Sequence, residues 1–381
     1  MAGSLASRLG RLQRDAGGSA AEPSPLAERL DALRRRSRRS RDLGQTIPGE
    51  PVADGVLRLE HRQPFGPWID ADVEPLGLGA GASMEARFVD TETTGLAGGT
   101  GTRIFLFGAA WRDGEDLVVC QLLLLRPGAE AAYWEVAESL LPQHFGLVSY
   151  NGKSFDWPLV ATRQRLSGRP VRQPNWHVDL VHPVRRAFGS RWPDCRLQTC
   201  EARLLGAPRS NDLGGEFAPW AYREFLAGRD AGPLRRIIDH HRQDMISLVE
   251  LLPVVGRCLG DPGAFGADAA AVGRGWLEAG DLARAAAVLA GHTCAEARLL
   301  HASVLRRQER WADAAEIWSA LAGEGEARAV EAMAKYCEHR TRDLEAARGY
   351  ARQLVACRPG DAASTHRLNR IERRLGKQPT D

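Results

Sequence analysis

The stretch Arg87-Phe88-Val89-Asp90-Thr91-Glu92-Thr93-Thr94-Gly95-Leu96 decides how the rest of the chain is read. It is an apolar strand that ends in two acidic residues two positions apart. Strand side chains alternate faces, so Asp90 and Glu92 point the same way, and two carboxylates aimed together repel unless a cation sits between them. The run asks for a metal.

Working outward from it, residues 103–110 read as a second strand, Asp113-Gly114 as a hairpin turn, and residues 117–125 as a third strand. Residues 130–141 have helical spacing, 147–150 a short buried strand, 155–166 a further helix and 176–181 another strand. Helices follow around 197–204 and 219–226. Three strands joined by tight turns, then alternating helices and strands, describe an α/β domain with a mixed sheet flanked by helices. We place it at residues 81–258.

The flanks differ in texture. Residues 1–80 are rich in Ala, Gly, Pro and Arg, and residues 33–41 carry six arginines in nine positions. This predicts a basic, partly disordered arm, either solvated or in contact with phosphates. Beyond Gly266 the strands vanish, and a small echo recurs: Gly280-Asp281-Leu282-Ala283-Arg284-Ala285-Ala286, Arg310-Trp311-Ala312-Asp313-Ala314-Ala315 and Asp343-Leu344-Glu345-Ala346-Ala347. Ala285, Ala314 and Ala347 recur near the tetratricopeptide period of about 34 residues, so residues 265–375 read as an α-helical, tetratricopeptide-like domain, with a plain helical bundle as the alternative. Such an array presents a groove to a protein partner.

At 381 residues the chain exceeds one usual core, and 44% hydrophobic with 26% charged residues is the composition of a globular protein. No apolar run approaches the roughly 20 residues that span a bilayer, so no membrane partner is expected. The first residues lack a secretory-signal layout, which predicts a cytoplasmic location. The seven cysteines include no CxxC pair and read as reduced thiols, not zinc ligands.

Two further segments carry chemistry. In Ser149-Tyr150-Asn151-Gly152-Lys153-Ser154-Phe155-Asp156-Trp157-Pro158 a strand ends, turns and opens a helix with Asp156 at its start; taken alone, a helix cap would explain that residue. In Ile237-Ile238-Asp239-His240-His241-Arg242-Gln243-Asp244-Met245 the apolar stripe Leu234, Ile238, Met245, Leu248 and Leu252 marks a helix, with His240 and Asp244 together along its flank. Four carboxylates from three separated segments, with an imidazole one turn from the last, fit a two-metal phosphodiester hydrolase, and an all-carboxylate shell suits Mg²⁺ or Mn²⁺.

Taken together, Asp90-x-Glu92-Thr-Thr-Gly-Leu, Asn151-x-x-x-Phe155-Asp156-x-Pro158 and His240-x-x-x-Asp244 resemble the three motifs of the DEDD exonuclease superfamily, which has a ribonuclease H-like fold. Tyr150 to Asp156, His177-Val178-Asp179-Leu180 and His240-His241-x-x-Asp244-x-x-Ser247-Leu248 are similar to its YprB-like branch, whose members often carry a helical repeat tail. The resemblance covers about residues 85–255. It implies a 3′ to 5′ exonuclease acting on single-stranded DNA or RNA. Asp90, Glu92 and Asp244 would bind the first ion, Asp90 would also touch the second, and Asp156 would hold the second through water. His240 would be the general base. Thr93, Gly95, Leu96, Asn151, Lys153 and Phe155 are candidate contacts to the nucleic acid.

One departure concerns the base. The family's histidine stands five residues before the last aspartate, where this chain has Asp239, and at four before a tyrosine is usual. Helix geometry puts position i−4 about 40° and i−5 about 140° from Asp244, so His240 can reach the site, with His241 as a reserve. Asp179 lies at a strand end, near the metals or simply hydrogen-bonded, and the Gly-rich run after Thr94 lacks a phosphate-loop Lys. Lys153, Arg163, Arg165, Arg185, Arg186 and Arg191 with Trp157 and Trp192 could line a single-strand channel, or be ordinary solvated arginines. Two other readings stay open: a nucleic-acid-binding or scaffolding protein with a weak or inactive nuclease fold, and a structure-specific endonuclease.

Overall fold

The computed structural model describes residues 46–66, 70–79, 81–95, 99–209 and 213–376. Its strands are β1 (Glu50–Ala53), β2 (Val56–Pro64), β3 (Ala86–Thr93), β4 (Ile104–Asp113), β5 (Asp116–Leu124), β6 (Gly146–Ser149) and β7 (Trp176–Asp179). They form one sheet in the order β1-β2-β5-β4-β3-β6-β7. The pairs from β1 to β3 are antiparallel, and β3/β6 and β6/β7 are parallel. This is the ribonuclease H-like mixed sheet that the sequence predicts, with the hairpin turned at Gly114, whose φ of 63° is left-handed.

The meander forms where it does because β4 is apolar on both faces. Ile104, Phe105, Leu106, Phe107, Ala109 and Ala110 are all fully buried, as a central strand covered on both sides requires. Phe88 and Val89, neighbours on β3, enter different apolar clusters, as alternation demands.

One boundary moves. Residues 50–64 fall in the stretch expected as an arm, yet β1 and β2 extend the sheet beyond β5, with β2 paired to it from Val56 to Pro64. Val56 and Leu57 are buried, and these apolar residues sit among polar neighbours that mask the strand in a compositional reading. The arginine run at 33–41 lies outside the described residues.

The flanking helices are α1 (Glu130–Ser139), α2 (Asp156–Leu166), α3 (Val181–Phe188), α4 (Ala218–Leu226) and α5 (Gly232–Gly260). The stripe Leu234, Ile238, Met245, Leu248 and Leu252 on α5 is buried throughout. Its contact with the sheet is close at Gly108, which pairs with Asp90 across β3 and β4. A Cβ there would stand 2.3 Å from Met245 Sδ and 2.4 Å from His241 Cε1, so only glycine lets the helix lie this near.

After α5 come α6 (Ala269–Glu278), α7 (Leu282–Leu289), α8 (Ala295–Arg307), α9 (Trp311–Gly323), α10 (Ala327–Tyr336), α11 (Leu344–Cys357) and α12 (Ala362–Leu375). Aspartates 268, 281, 343 and 361 cap α6, α7, α11 and α12 by accepting from backbone N–H groups. Ala285, Ala314 and Ala347 are fully buried where consecutive helices meet. The tail is not a separate body, because Val272, Ala285, Leu289 and Val304 belong to the same cluster as Phe88, Met245, Val255 and Leu259. A distinct core begins only at Ala302 and Leu305. No helix among the described residues is long and apolar enough to cross a membrane.

Candidate active site

β3 delivers Asp90 and Glu92, and its pairing with β4 slips by a residue directly after Glu92, a bulge that ends the regular ladder at the acidic pair. Asp156 enters from the first turn of α2, where Thr91 Oγ1 donates to its Oδ1 at 2.5 Å. α5 supplies His240, His241 and Asp244. The three motifs thus meet at one end of the sheet.

The electrostatics record how close they are. Burial pushes the Asp90 carboxyl well above the usual aspartate range, and Asp244, Asp156 and Glu92 push it further. Glu92 is raised in the same way, by burial and then by Asp244 and Asp156. Burial lifts Asp156 to about 6 and also raises Asp244. Four carboxylates that each resist ionisation form a site that gains from a cation.

The turn that aims Asp156 is held by Asp179. Its carboxylate accepts from the backbone N–H of Asn151 at 2.6 Å and of Lys153 at 2.9 Å, while Asn151 takes a left-handed φ of 65°. Asp179 is therefore a hydrogen-bonded support for the loop. Asn151 and Lys153 are exposed, Phe155 is half-buried, and Thr93 is buried with its hydroxyl donating to Gly95 O at 2.7 Å. Leu96 lies outside the described residues.

The two histidines differ. Gln121 Nε2 donates to Ile238 O and to His241 Nδ1, both at 2.9 Å, which leaves the His241 proton on Nε2, donating to Asp90 O at 3.0 Å. Burial drives His241 down to about 4. With both ring nitrogens hydrogen-bonded and no exposed surface, His241 pins α5 to β3.

Sequence reasoning missed Arg209 and Glu201. Arg209 Nε donates to Glu201 Oε2 at 2.7 Å, its Nη2 pairs with Asp244 Oδ1, and its Nη1 donates to His240 Nδ1 at 2.8 Å. A guanidinium only donates, so Nδ1 of His240 accepts and the ring proton sits on Nε2, which faces Asp244 Oδ2 at 3.4 Å. Arg209 comes from an irregular loop, where no periodicity flags it.

With Asp244 turned to Arg209 and Asp156 to Thr91, no three histidine, cysteine or carboxylate groups among the described residues close on one point tightly enough to hold an ion as they stand. The donor set nonetheless fits divalent cations: hard oxygens, largely shielded from solvent and mutually repelling.

Several expected channel residues lie elsewhere. Arg163 is buried, donating to Glu130 Oε1 at 2.6 Å and Thr100 O at 2.8 Å, and Trp157 is buried beside Phe145. Trp192 stacks on Phe188 at 4.0 Å. Instead, a cleft of about 980 Å³ beside His240 and Asp244 is lined by Arg196, Gln198, Arg209 and Phe217. Phe217 is 47% exposed at its edge.

Comparison with known proteins agrees with this fold. Residues 87–255 match the family profile described as RNase_H superfamily. Over 166 residues the chain is 39% identical to the uncharacterized protein YprB of Bacillus subtilis (strain 168), an alignment covering 43% of this chain and 40% of that protein. The chain thus spans about two-fifths of the length of the curated relative it matches.

Proposed function

We propose that the protein is a divalent-metal-dependent nuclease that shortens single-stranded DNA or RNA from the 3′ end. The carrying observation is the set of acids Asp90, Glu92, Asp156 and Asp244, each made harder to ionise by burial, with Asp90 and Glu92 pushed further by the carboxylates around them. On this reading Asp90, Glu92, Asp156 and Asp244 would hold the divalent ions, Mg²⁺ or Mn²⁺. When bound, such ions supply electrostatic stabilisation of the charge that develops on the phosphoryl group. The chain's own part is to bind the strand, orient it and handle the proton. Phe217 offers its exposed ring to a base, and Arg196 in the same cleft offers charge to phosphate. His240 accepts the proton of the attacking water, which needs a ring nitrogen freed from its present partner.

The test is a time course on 5′-labelled single- and double-stranded DNA and RNA with Mg²⁺, Mn²⁺ or chelator. A ladder of shortening products is expected, lost with chelator and with Asp90→Ala or Asp244→Ala. Degradation that survives either substitution refutes the assignment, and internal cuts in place of a ladder would favour a structure-specific endonuclease.

A second reading draws on the tail, which we propose is a tetratricopeptide-like array. A groove of about 630 Å³ there is lined by Trp311, Trp318, Tyr336, Arg306 and Arg340, the last lying 5.2 Å over the Trp311 ring. An acidic, aromatic-bearing protein segment would suit it, making the chain a scaffold that holds nucleic acid without degrading it. Oligonucleotide binding without metal-dependent degradation would favour that reading.

A further inference from the structure

Resting on the metal-dependent reading of the site, we propose that Arg209 exchanges partners: it is the counter-cation of Asp244 in the metal-free chain, and it becomes a phosphate-binding positioning residue once Asp244 is given over to a divalent ion. The argument starts from how the guanidinium is held. Glu201, whose side chain is 2% accessible, accepts from Arg209 Nε at 2.7 Å and from Nη2. This pairing grips one edge of the fork from behind. Two further N–H groups of the fork are turned into the site, onto Asp244 Oδ1 and His240 Nδ1.

A guanidinium and a divalent ion cannot both sit on Asp244 without strong repulsion at the low effective dielectric of a buried site. Arg209 therefore competes with the metal for that carboxylate. Glu201 prevents its loss to solvent when it is displaced, because the bidentate grip does not involve Asp244. The released edge then faces the cleft of about 980 Å³ that Arg209 lines together with Arg196 and Phe217. That volume suits a nucleotide, and a planar fork matches two phosphate oxygens. The same move takes the guanidinium off His240 Nδ1, so strand engagement and the release of the candidate base become one event.

Two measurements on the full-length chain test this. The first is Mn²⁺ binding by calorimetry with no oligonucleotide present. Arg209→Met should bind Mn²⁺ about tenfold more tightly than the wild type, because the competing cation is gone, and Arg209→Lys should stay within about threefold of the wild type. A residue that merely props up its neighbours predicts the opposite sign, weaker Mn²⁺ binding in Arg209→Met, and that result overturns the proposal. The second is polarisation of a labelled single-stranded oligonucleotide in Ca²⁺, which should weaken about tenfold or more in Arg209→Met and also weaken in Arg209→Lys, which cannot present a fork. Unchanged oligonucleotide affinity in both variants overturns the phosphate role. If Arg209→Met fails to fold, Arg209→Gln, equally uncharged, takes its place in both measurements. A wild type that binds no Mn²⁺ refutes the nuclease reading and this proposal together, whereas a wild type that binds Mn²⁺ with variants identical to it refutes only the role of Arg209.

Discussion

Replacing Asp156 with asparagine should stabilise the protein in chelator while removing a group the proposed chemistry requires. Burial lifts this carboxyl from the usual 3.8 to about 6. Between those values the folded chain keeps a proton that the unfolded chain has lost, so stability falls as pH rises through the window and is flat above it. The displacement corresponds to about 3 kcal/mol held against the folded state once Asp156 is ionised. Asparagine keeps the oxygen that Thr91 Oγ1 donates to and carries no charge. In chelator at pH 8, Asp156→Asn should therefore be more stable by up to about 3 kcal/mol, roughly 6–12 °C in the melting midpoint of a domain this size. At pH 4 the advantage should shrink toward zero, because the wild-type carboxyl is protonated there. Adding Mn²⁺ should close the gap at pH 8, since a ligand at about 100 times its Kd adds about 2.7 kcal/mol to the wild type. Thermal melts followed by circular dichroism across pH 4 to 8, with and without Mn²⁺, measure all of this. An asparagine variant less stable than the wild type at pH 8, or an advantage that does not change with pH, would refute the reasoning.

Other substitutions probe the scaffold and the cleft. Gly108→Ala places a Cβ 2.3 Å from Met245 Sδ, so it should cost at least about 1–3 kcal/mol in urea unfolding and shift α5 enough to impair activity. Gln121→Leu strips the donor from His241 Nδ1, leaving a buried acceptor unmet, and removes the second bond that Ile238 O accepts beside its helical one; about 1–3 kcal/mol of stability should go, read by the same unfolding assay. Phe217→Ala should leave the fold intact and weaken single-strand binding by about 1–3 kcal/mol, seen as a rise in KM with little change in kcat. A matching loss of stability would mean the ring is structural.

Much of the scaffold is legible in sequence because one-dimensional periodicity reports burial. The alternation that puts Asp90 and Glu92 on one face, and the stripe from Leu234 to Leu252, are both read directly, and the stripe is a buried face. What escapes has no period. Arg209 and Glu201 meet from a loop and a single irregular turn, and their pairing exists only in three dimensions. Arg163 and Trp157 mislead for the opposite reason: charge and aromaticity suggest a nucleic-acid channel, yet the helix turns both residues inward. β2 is missed because its strand signal is diluted by Arg58, Glu60, His61 and Arg62, which alternate with little apolar relief. His240 and His241 are adjacent in sequence and differ in role because a helix turns about 100° per residue, sending one ring to the cleft and the other into the sheet.

The 29 residues of α5 are shared property. Its first half bears His240 and Asp244, and its second half lies in the apolar cluster that α6, α7 and α8 complete. Binding at the two ends of one helix is subject to thermodynamic linkage, which runs equally in both directions. A tail ligand that stiffened α5 and tightened metal binding tenfold would itself be bound tenfold more tightly by the metal-loaded protein, about 1.4 kcal/mol either way. Titrating tail ligand and metal against each other would thus read out a coupling between the two halves of the chain that activity measurements on either alone would miss.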